Sequence, residues 1–359
     1  MSEWKEYKFS DFVNINPPVK LMKGAQYSFV EMKDLTDGRK HCYPNTEREL
    51  SGGARFNEGD TLFARITPCL ENGKISQAKG LKSGVGFGST EFFVFRDKEG
   101  VSDNDFVYYL SRWDEIRAFA EMNFDGTSGR QRVPKDAFNN LFLNLPPLPE
   151  QKSIASILSS LDDKIDLLHR QNKTLEALAE TLFRQWFVRR PELVEGEEAE
   201  EGWEEKGLDD IAEFINGLAC QKYPPVAGLE SLPVIKIKEL RQGVSDATDM
   251  ARADVPEKYI INDGDILFSW SGSLEVVIWS HGKGVLNQHL FKVSSEQYPE
   301  WFFYFWIKHH LPEFRNIAQD KATTMGHIQR HHLSDALVVI PSPDKMKDFN
   351  WTFGDNKRQ

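Results

Sequence analysis

Apolar residues recur with a seven-residue repeat between residues 150 and 190. The positions of this heptad seam are Ile154, Leu158, Leu161, Ile165, Leu168, Asn172, Leu175, Ala179, Leu182 and Trp186. Because neither proline nor glycine interrupts the stretch, the pattern predicts one helix over 149–190, on the order of 55 Å long. The strict period favours a coiled coil in which the polar Asn172 sets the register, and an amphipathic helix lying on its own domain is the alternative.

The segments before this helix recur after it in the same order. Glu58 to Phe63 matches Asp263 to Phe268, Glu91 to Phe95 matches His289 to Val293, and Phe106 to Leu110 matches Phe302 to Trp306. The repeat is far longer than that of a solenoid, so it indicates a duplicated domain. We expect an α+β fold in which two similar mixed domains, 1–148 and 208–343, are joined by the long helix. An acidic linker and the start of the second module are expected at 191–207, and the truncated start of a distal helix at 344–359.

Composition and charge limit the class of protein. A chain of 359 residues with 40% hydrophobic residues can bury two cores. The formal net charge of -11 is unusual for a DNA-binding protein, but the acidity is concentrated in the stretch from Glu192 to Glu205, typical of a solvated linker. The second copy stays acidic, so a DNA-binding face there must be local or completed by a partner.

Cysteine usage and hydropathy indicate an intracellular protein. Cys42, Cys69 and Cys220 never form a Cys-x-x-Cys pair, which argues against a zinc site or a disulfide framework. No apolar stretch is long enough to span a bilayer, and no signal peptide is recognised. We therefore expect a cytoplasmic protein with no membrane partner.

The helix and its entry carry a resemblance to a known family. The stretch Leu145-Pro146-Pro147-Leu148-Pro149-Glu150-Gln151, continued by Leu161-Asp162-Asp163-Lys164-Ile165 and Leu182-Phe183-Arg184-Gln185-Trp186-Phe187, resembles the central helix of Type I restriction-modification specificity subunits. The resemblance implies two target-recognition domains, each reading one half of a split double-stranded DNA sequence, while the helix sets the half-site spacing. It also implies that two methyltransferase subunits dock on the helix and bring restriction subunits with them. S-adenosylmethionine, ATP and magnesium would belong to those partners, and no cofactor or metal to this chain.

The chain departs from that family near its end. Pro341-Ser342-Pro343-Asp344 echoes the entry to the first helix, and Phe349 and Phe353 fall where Ile154 and Leu158 stand, but only about two turns of a second helix would follow. The seam would then lack its internal partner. We expect a homodimer in which the long helices of two copies pair antiparallel, and a monomer covered by the tail around Phe349 and Phe353 is the competing outcome.

Three loops that recur in both copies are the candidate DNA contacts. Arginine, asparagine, glutamine and serine can bond base edges, whereas lysine and glycine-rich turns suit phosphates. The candidates are Arg65, Thr67, Asn72, Lys74, Ser128, Arg130, Gln131 and Arg132 in the first copy, and Ser269, Trp270, Ser271, Asn287, Gln288, His327, Gln329 and Arg330 in the second. Arg130 and Arg132 are the strongest of them.

Other motifs are weaker. Asn16-Pro17-Pro18-Val19 resembles an adenine-methyltransferase motif, but Val19 replaces its stacking aromatic, so a turn is expected. Gly84 to Gly88 leads into an apolar strand instead of opening a helix, which excludes a nucleotide-binding loop. The pairs His309-His310 and His331-His332 lack metal-ligand spacing and are expected at the surface. A non-catalytic DNA-reading subunit is therefore predicted, with a stand-alone methyltransferase or nuclease, or a protein-binding scaffold, as alternatives.

Overall fold

The computed structural model describes residues 3–127, 129–188, 203–320 and 326–353, with the side chains of 351–353 left out. The chain divides into two compact units, unit 1 from Met1 to Lys173 and unit 2 from Thr174 to Gln359. The long helix α4 crosses this boundary, so each unit contains one part of it. The observed architecture confirms the predicted α+β class, with two sheet-rich domains and a long connecting helix.

Unit 1 is built from eleven strands and four helices within the described residues. The strands are β1 (Lys5–Lys8), β2 (Asn14–Ile15), β3 (Gln26–Val30), β4 (His41–Cys42), β5 (Thr46–Glu49), β6 (Ala54–Asn57), β7 (Thr61–Ala64), β8 (Ile75–Ala78), β9 (Val85–Gly88), β10 (Phe92–Arg96) and β11 (Phe142–Leu145). The helices are α1 (Phe9–Phe12), α2 (Asn104–Arg112), α3 (Asp114–Met122) and the start of α4 (Leu148–Phe183). The strand orders are β2-β10-β7-β8-β4, β5-β3-β9-β6 and β1-β11.

The central strands of unit 1 are buried on both faces. In β10, Phe93 and Phe95 point into a core shared with Phe63 and Phe138, while Phe92 and Val94 belong to a second core with other residues. A strand covered on both sides has no polar face, so its sequence is a continuous apolar run without alternation.

Unit 2 repeats this construction. Its strands are β12 (Glu204–Gly207), β13 (Glu213–Asn216), β14 (Ser231–Ile235), β15 (Met250–Arg252), β16 (Ile260–Ile261), β17 (Ile266–Ser269), β18 (Val276–Ile278), β19 (Gly284–Leu286), β20 (Leu290–Ser294) and β21 (Leu337–Ile340). Its helices are α5 (Leu208–Ile211), α6 (Ile237–Gln242), α7 (Glu300–Asp320), α8 (Arg330–Asp335) and α9 (Pro343–Phe353). The strand orders β13-β20-β17-β18, β15-β14-β19-β16 and β12-β21 match those of unit 1, except that unit 1 adds β4 at a sheet edge.

Strand register confirms the predicted duplication residue by residue. The parallel pair of β3 with β9 has its counterpart in the parallel pair of β14 with β19. Both copies also contain the same glycine turn, in which Gly59 and Gly264 have φ of 87° and 93°, a conformation that favours glycine. The aspartate after each glycine accepts a hydrogen bond of 2.7 Å from a backbone amide three residues earlier. The matched Gly-Asp sequence is therefore structural.

Two predicted segments are described only in part. Glu204 and Glu205, the end of the acidic stretch, are exposed residues of β12, which pairs with β21, so the second module begins inside the predicted segment 191–207. The rest of that stretch, 189–202, lies outside the described residues. The predicted distal helix is observed as α9, and its predicted residues 354–359 also lie outside them.

The first part of α4 lies on unit 1 through polar side chains. Gln151 is fully buried: its amide nitrogen donates to the carbonyls of Pro146 (2.9 Å) and Val101 (3.1 Å), and its oxygen accepts from the amide of Asp103 (3.0 Å). Further along, the Tyr109 hydroxyl donates to Asp162 (2.7 Å). Every polar atom of the Gln151 amide group is thus satisfied in the interior, as buried polar groups require.

Polar contacts between α4 and unit 1 continue along the helix. Buried Lys40 donates to Ser159 (2.7 Å), and the Tyr43 hydroxyl donates to Asp166 (2.9 Å). Burial, together with that carboxylate, raises the pKa of Tyr43 to about 12. The alternative of an amphipathic helix lying on its own domain by its apolar seam is therefore wrong for this part: the helix does lie on its domain, but its polar face makes the contact.

The heptad seam is consequently left at the surface. Leu161, Leu168 and Leu175 are 60%, 44% and 62% exposed. The remaining seam positions up to Asn172 are also exposed, except Ile154, which packs partly on the core of unit 1. The seam has the pattern of a coiled coil without a partner helix inside the described part of this chain.

The last part of α4 is held in unit 2 by aromatic residues. Phe183 and Phe187 are almost fully buried, and the Phe183 ring lies 5.4 Å from that of Phe305 and 5.2 Å from that of Trp306. The helix continues as a π-helical turn over Arg184–Val188. The Phe349 ring of α9 lies 5.0 Å from that of Trp186, so the tail covers the end of the seam, whereas Leu175 stays exposed. Phe353 lies among the side chains that are not described.

Candidate nucleic-acid interface

The three candidate loops of unit 1 meet at the ends of β7 and β10. The amide of Arg65, directly after β7, donates to the carbonyl of Glu91, directly before β10 (3.0 Å). The amide of Thr67 donates to the carbonyl of Gln131 in the third loop (3.0 Å). Loops that are far apart in sequence therefore share one short backbone ladder.

This ladder brings three charged side chains together, which we call the charged cluster: Arg65, Glu91 and Arg132. The Nε atom of Arg132 donates to both carboxylate oxygens of Glu91 (2.9 and 3.0 Å), which raises the pKa of Arg132. The Arg65 guanidinium lies over the Phe93 ring, 5.0 Å from its centroid, and burial lowers the pKa of Arg65 against the opposing effect of Glu91. The arginines thus have supported positions at the surface edge, as base-reading side chains need.

The other candidates of unit 1 divide into four groups. Arg130 and Asn72 are exposed, and Gln131 and Thr67 are half-buried with Thr67 Oγ1 accepting from the amide of Gln131 (3.0 Å). Lys74 donates its ammonium hydrogens to the carbonyls of Met32 (2.9 Å) and Leu35 (3.0 Å), so its charge is engaged inside the unit and we omit it from the interface. Ser128 lies outside the described residues.

In unit 2 the same backbone ladder presents different side chains. The Trp270 amide donates to the His289 carbonyl (3.3 Å) as Arg65 does to Glu91, and Ser271 is bridged to His327 as Ile66 is to Arg132. Trp270, His289 and His327 therefore take the places of Arg65, Glu91 and Arg132, and we call them the aromatic cluster. The Trp270 ring lies 5.9 Å from that of His289 and 6.3 Å from that of His327.

Three of the candidates in unit 2 are corrected by their burial. Ser269 is fully buried, and its hydroxyl accepts from the amide of Glu275 (2.7 Å) and donates to the carbonyl of Ser273 (2.8 Å). Ser271 and Asn287 are also buried. The side chains of Ser269 and Asn287 close turns, and the Ser271 hydroxyl lies 3.0 Å from Nδ1 of His289. A loop sequence does not distinguish such roles from ligand contact.

The remaining candidates of unit 2 lie nearer the surface. Gln288 is half-buried beside His289, and Gln329 and Arg330 are exposed. Arg330 also donates to the carbonyl of Phe214 (3.2 Å) and lies over the Phe291 ring. Glu91 and His289 end the second recurring loop of each copy but are not among the candidates selected from the sequence. Each directly precedes an apolar strand that pairs with the strand before the first loop, and that placement was the available signal.

The histidine pairs are less exposed than expected. His309 is half-buried, and burial, helped by its neighbour His310, lowers the pKa of His309 to about 4. His332 is buried, and its Nδ1 accepts from the amide of Gln329 (2.9 Å) at the start of α8. Apart from His331, which is exposed, these histidines are structural. The prediction of surface histidines holds for His331 and is wrong for His332, while His309 and His310 are half-buried because Trp306 and Phe314 of α7 pack against them.

The glycine-rich segment Gly84 to Gly88 is confirmed not to open a helix. Most of it is β9, which lies between β3 and β6. A Cβ atom at Gly88 would lie 2.5 Å from the carbonyl oxygen of Val30, so the glycine permits close packing of backbones. Over the described part of the chain, no group of three or more potential metal-ligating side chains is found, and no helix is long and apolar enough to cross a membrane.

Comparison with known proteins identifies the family. The model of the Type I restriction modification DNA specificity domain matches residues 1–177 and again 200–348. The chain therefore belongs to this family, and the two matches coincide with the two copies seen in the fold.

Individual relatives and structures agree with the family. The EcoEI specificity subunit of Escherichia coli, a Type I restriction enzyme subunit, is 33% identical over 188 residues, which cover 50% of this chain and 32% of that protein. The MjaIX specificity subunit of Methanocaldococcus jannaschii is 25% identical over 381 residues, covering 97% of this chain and 85% of that protein. The chain spans about a third of the length of the EcoEI relative.

A solved structure is similar in fold. The Type-I restriction-modification system S subunit from M. genitalium matches 96% of this chain and 87% of its own with a TM-score of 0.50, at 13% sequence identity. That similarity concerns the arrangement of the backbone and not the side chains of the interface.

Proposed function

We propose that this protein is the non-catalytic DNA-specificity subunit of a Type I restriction-modification complex, in which each unit reads one half of a bipartite double-stranded target. The observation that carries the proposal is the pair of clusters: one backbone ladder, present twice, displays Arg65, Glu91 and Arg132 in unit 1 and Trp270, His289 and His327 in unit 2. Two equivalent frames with different side chains are what recognition of two different half-sites requires.

The chemistry of the complex is assigned to partner subunits. S-adenosylmethionine, ATP and magnesium would be bound by methyltransferase and restriction subunits, and this chain would work with them in the cytoplasm. The name of the EcoEI relative describes that protein as a subunit of a restriction enzyme, which supports an assembly of this kind. Purified alone, the chain is expected to show no turnover of S-adenosylmethionine and no cleavage of DNA.

The exposed seam of α4 is the proposed docking surface. Leu161, Ile165 and Leu168 are large apolar side chains at heptad positions and are 60%, 43% and 44% exposed. Burial of each would contribute roughly 1.5 to 3 kcal/mol if it were complete. The expected occupants are methyltransferase subunits in the assembled complex.

Selection from random duplex libraries tests the DNA proposal. Bound duplexes are sequenced for the wild-type chain, for Arg132→Ala and for Trp270→Ala, each with and without the matching methyltransferase subunit. We expect a split consensus in which Arg132→Ala relaxes one half and Trp270→Ala relaxes the other. No enrichment under any condition would refute DNA recognition, and both variants relaxing the same half would refute the assignment of one half-site to each unit.

A homodimer is the second candidate use of the seam, favoured by its heptad period. Two copies of α4 would pair antiparallel about a two-fold axis. Sedimentation across a concentration series should then show dimers that Leu161→Asp plus Leu168→Asp dissociates. The control is Ser160→Asp plus Gln171→Asp, which introduces the same charge at exposed positions outside the seam. A wild-type monomer at the highest concentration contradicts self-association and leaves the seam to other partners.

A further inference from the structure

A cleft in unit 1 lies beside the charged cluster and has no assigned role. Its volume is about 430 Å³, within the range of small-ligand sites. The turn after β2, with Asn16 and Pro17, forms one wall, and Phe92 of β10 lies in the lining. Arg65 lines this cleft and also belongs to the charged cluster, so the two sites are continuous.

The charge of the cleft is positive. Three cationic side chains line it, Arg55, Arg65 and Lys135, and no carboxylate does. In the described part of unit 1, none of the three is in an ion pair. Glu91 is the nearby acidic group, but both of its carboxylate oxygens accept hydrogen bonds from Arg132. Arg55 and Lys135 therefore have no carboxylate in the lining, and among the described residues the one acidic group near Arg65 is Glu91, which is already bound by Arg132.

One polar atom in the lining lacks a partner. The Nε atom of Arg65 is buried and donates to no acceptor among the described residues. A buried donor without an acceptor is unfavourable, and no described protein acceptor occupies this donor of the Arg65 guanidinium. The polar side chain of Asn16 does not supply one, because its oxygen accepts from the amide of Val94 (3.0 Å).

Unit 2 lacks this arrangement at the equivalent positions. The backbone ladder makes Trp270 the counterpart of Arg65, and strand register makes Ile260 the counterpart of Arg55. The counterpart of Lys135 is Arg330, which donates to the carbonyl of Phe214. The three cations of this cleft are thus not repeated at the equivalent positions of unit 2, where only Arg330 is cationic.

We infer that the cleft binds a phosphate ester group of the DNA backbone and so holds unit 1 on its half-site while the charged cluster contacts the bases. The inference rests on the proposed function. Cationic side chains without carboxylates are the usual partners of phosphates, and such contacts position a protein without reading sequence. Phosphate contacts supply the salt-dependent part of the affinity, so removal of the cations of this cleft should lower that part.

The test is the salt dependence of target binding by the full chain carrying Arg55→Gln plus Lys135→Gln. Both side chains are exposed, so folding should be retained and is checked by the melting temperature. If the cleft holds one phosphate, we expect the slope of log affinity against log salt to fall by about 0.9 in the double variant. Affinity should fall by the same factor on matched and mismatched duplexes. The charge-matched control, Lys152→Gln plus Lys164→Gln on exposed positions of α4, should leave the slope unchanged, and Arg55→Lys should retain it.

Two outcomes overturn the inference and differ from failure of the proposed function. A slope equal to the wild-type value, with target-specific binding intact, removes the cleft from the DNA interface but leaves DNA recognition standing. Calorimetry with adenosine monophosphate tests whether the phosphate comes from a free nucleotide instead of DNA. If the wild-type chain binds the mononucleotide and the double variant does not, while the salt slope on duplex DNA is unchanged, the cleft is a free-nucleotide site. Absence of specific binding by the wild-type chain would refute the proposed function itself.

Discussion

Units 1 and 2 have the same strand order but use different side-chain chemistry in equivalent places. The backbone ladder displays ionic side chains in unit 1 and aromatic ones in unit 2. The two parts of α4 also differ in polarity. In unit 1 Gln151 anchors the helix through hydrogen bonds, and in unit 2 Phe183 anchors it through ring contacts. The duplicated backbone therefore determines where functional positions lie, while the side chains at those positions are free to diverge.

The largest expected effect concerns the anchors of α4. Phe183→Ala should destabilise unit 2 by about 3 to 5 kcal/mol, because it removes a fully buried ring from an aromatic core. Gln151→Ala should destabilise unit 1 by about 1 to 3 kcal/mol, because it leaves buried backbone carbonyls and an amide unpaired. Hydrogen exchange of the full chain resolves the two units, and Phe183→Leu is the conservative control. A greater destabilisation by Gln151→Ala than by Phe183→Ala would contradict the expectation that the aromatic anchor of unit 2 is the stronger one.

A second difference lies in the ion pair behind the Gly-Asp turn. Asp60, with a side chain only 3% exposed, is held by Arg96 at 2.7 and 2.6 Å, whereas Asp265, at 22% exposure, is paired with Lys292 at 2.8 Å. Removal of Arg96 leaves a buried charge, so Arg96→Ala should cost unit 1 about 3 kcal/mol. Lys292→Ala should cost unit 2 about 1 kcal/mol.

Urea denaturation followed by hydrogen exchange checks this pair, with Asp60→Asn plus Arg96→Ala as the control that removes both charges. Equal destabilisation by the two single variants would contradict the argument from burial. Recovery of stability in the double variant would confirm that the unpaired carboxylate causes the destabilisation.

The clusters predict different salt responses of DNA binding. Arg130→Ala plus Arg132→Ala should weaken binding to the target roughly tenfold or more, and the salt slope should fall by about one for each phosphate that these arginines bind. Trp270→Ala should weaken binding without changing the slope, because stacking carries no charge. Mobility shifts at several salt concentrations measure both, with circular dichroism to verify folding. A folded arginine variant that binds as the wild type does would exclude the third loop from the interface.

The smallest expected effect is a pH dependence of the stability of unit 2. Burial lowers the pKa of His309 to about 4 in the folded state, whereas an unfolded histidine titrates near 6.5. The unfolded state therefore takes up the proton first, so this contribution to stability is complete above about pH 6.5 and is lost as the pH falls toward 4. Because the ring is half-exposed, we expect a loss on the order of 1 kcal/mol.

Denaturation of wild type and His309→Asn at pH 7 and pH 5 measures that dependence. Tryptophan fluorescence is a suitable signal, because seven of the nine tryptophans fall in unit 2. The variant should show the smaller difference between the two pH values. An unchanged difference would assign the acid sensitivity of unit 2 to other groups.

The long helix, the duplication and the family follow from the amino-acid sequence alone. Each depends on a repeating or contiguous pattern: the heptad from Ile154 to Trp186, the matched Gly-Asp turns, and the stretch around Gln151. The period of apolar residues and the order of the segments can be read from the sequence, because helices and strands impose fixed spacings on apolar residues. The α+β class was predictable for the same reason.

The faces and side chains that are available for binding were settled by the tertiary structure. The sequence does not reveal that the polar face of α4 lies on unit 1 while Leu161 and Leu168 remain exposed, because that choice depends on partners such as Tyr109 and Lys40 that are distant in the chain. Likewise, Ser269 is buried and Arg132 is held by Glu91 because strand pairing brings separate loops together. Burial and pairing are properties of long-range contacts, so a local pattern of residues cannot supply them.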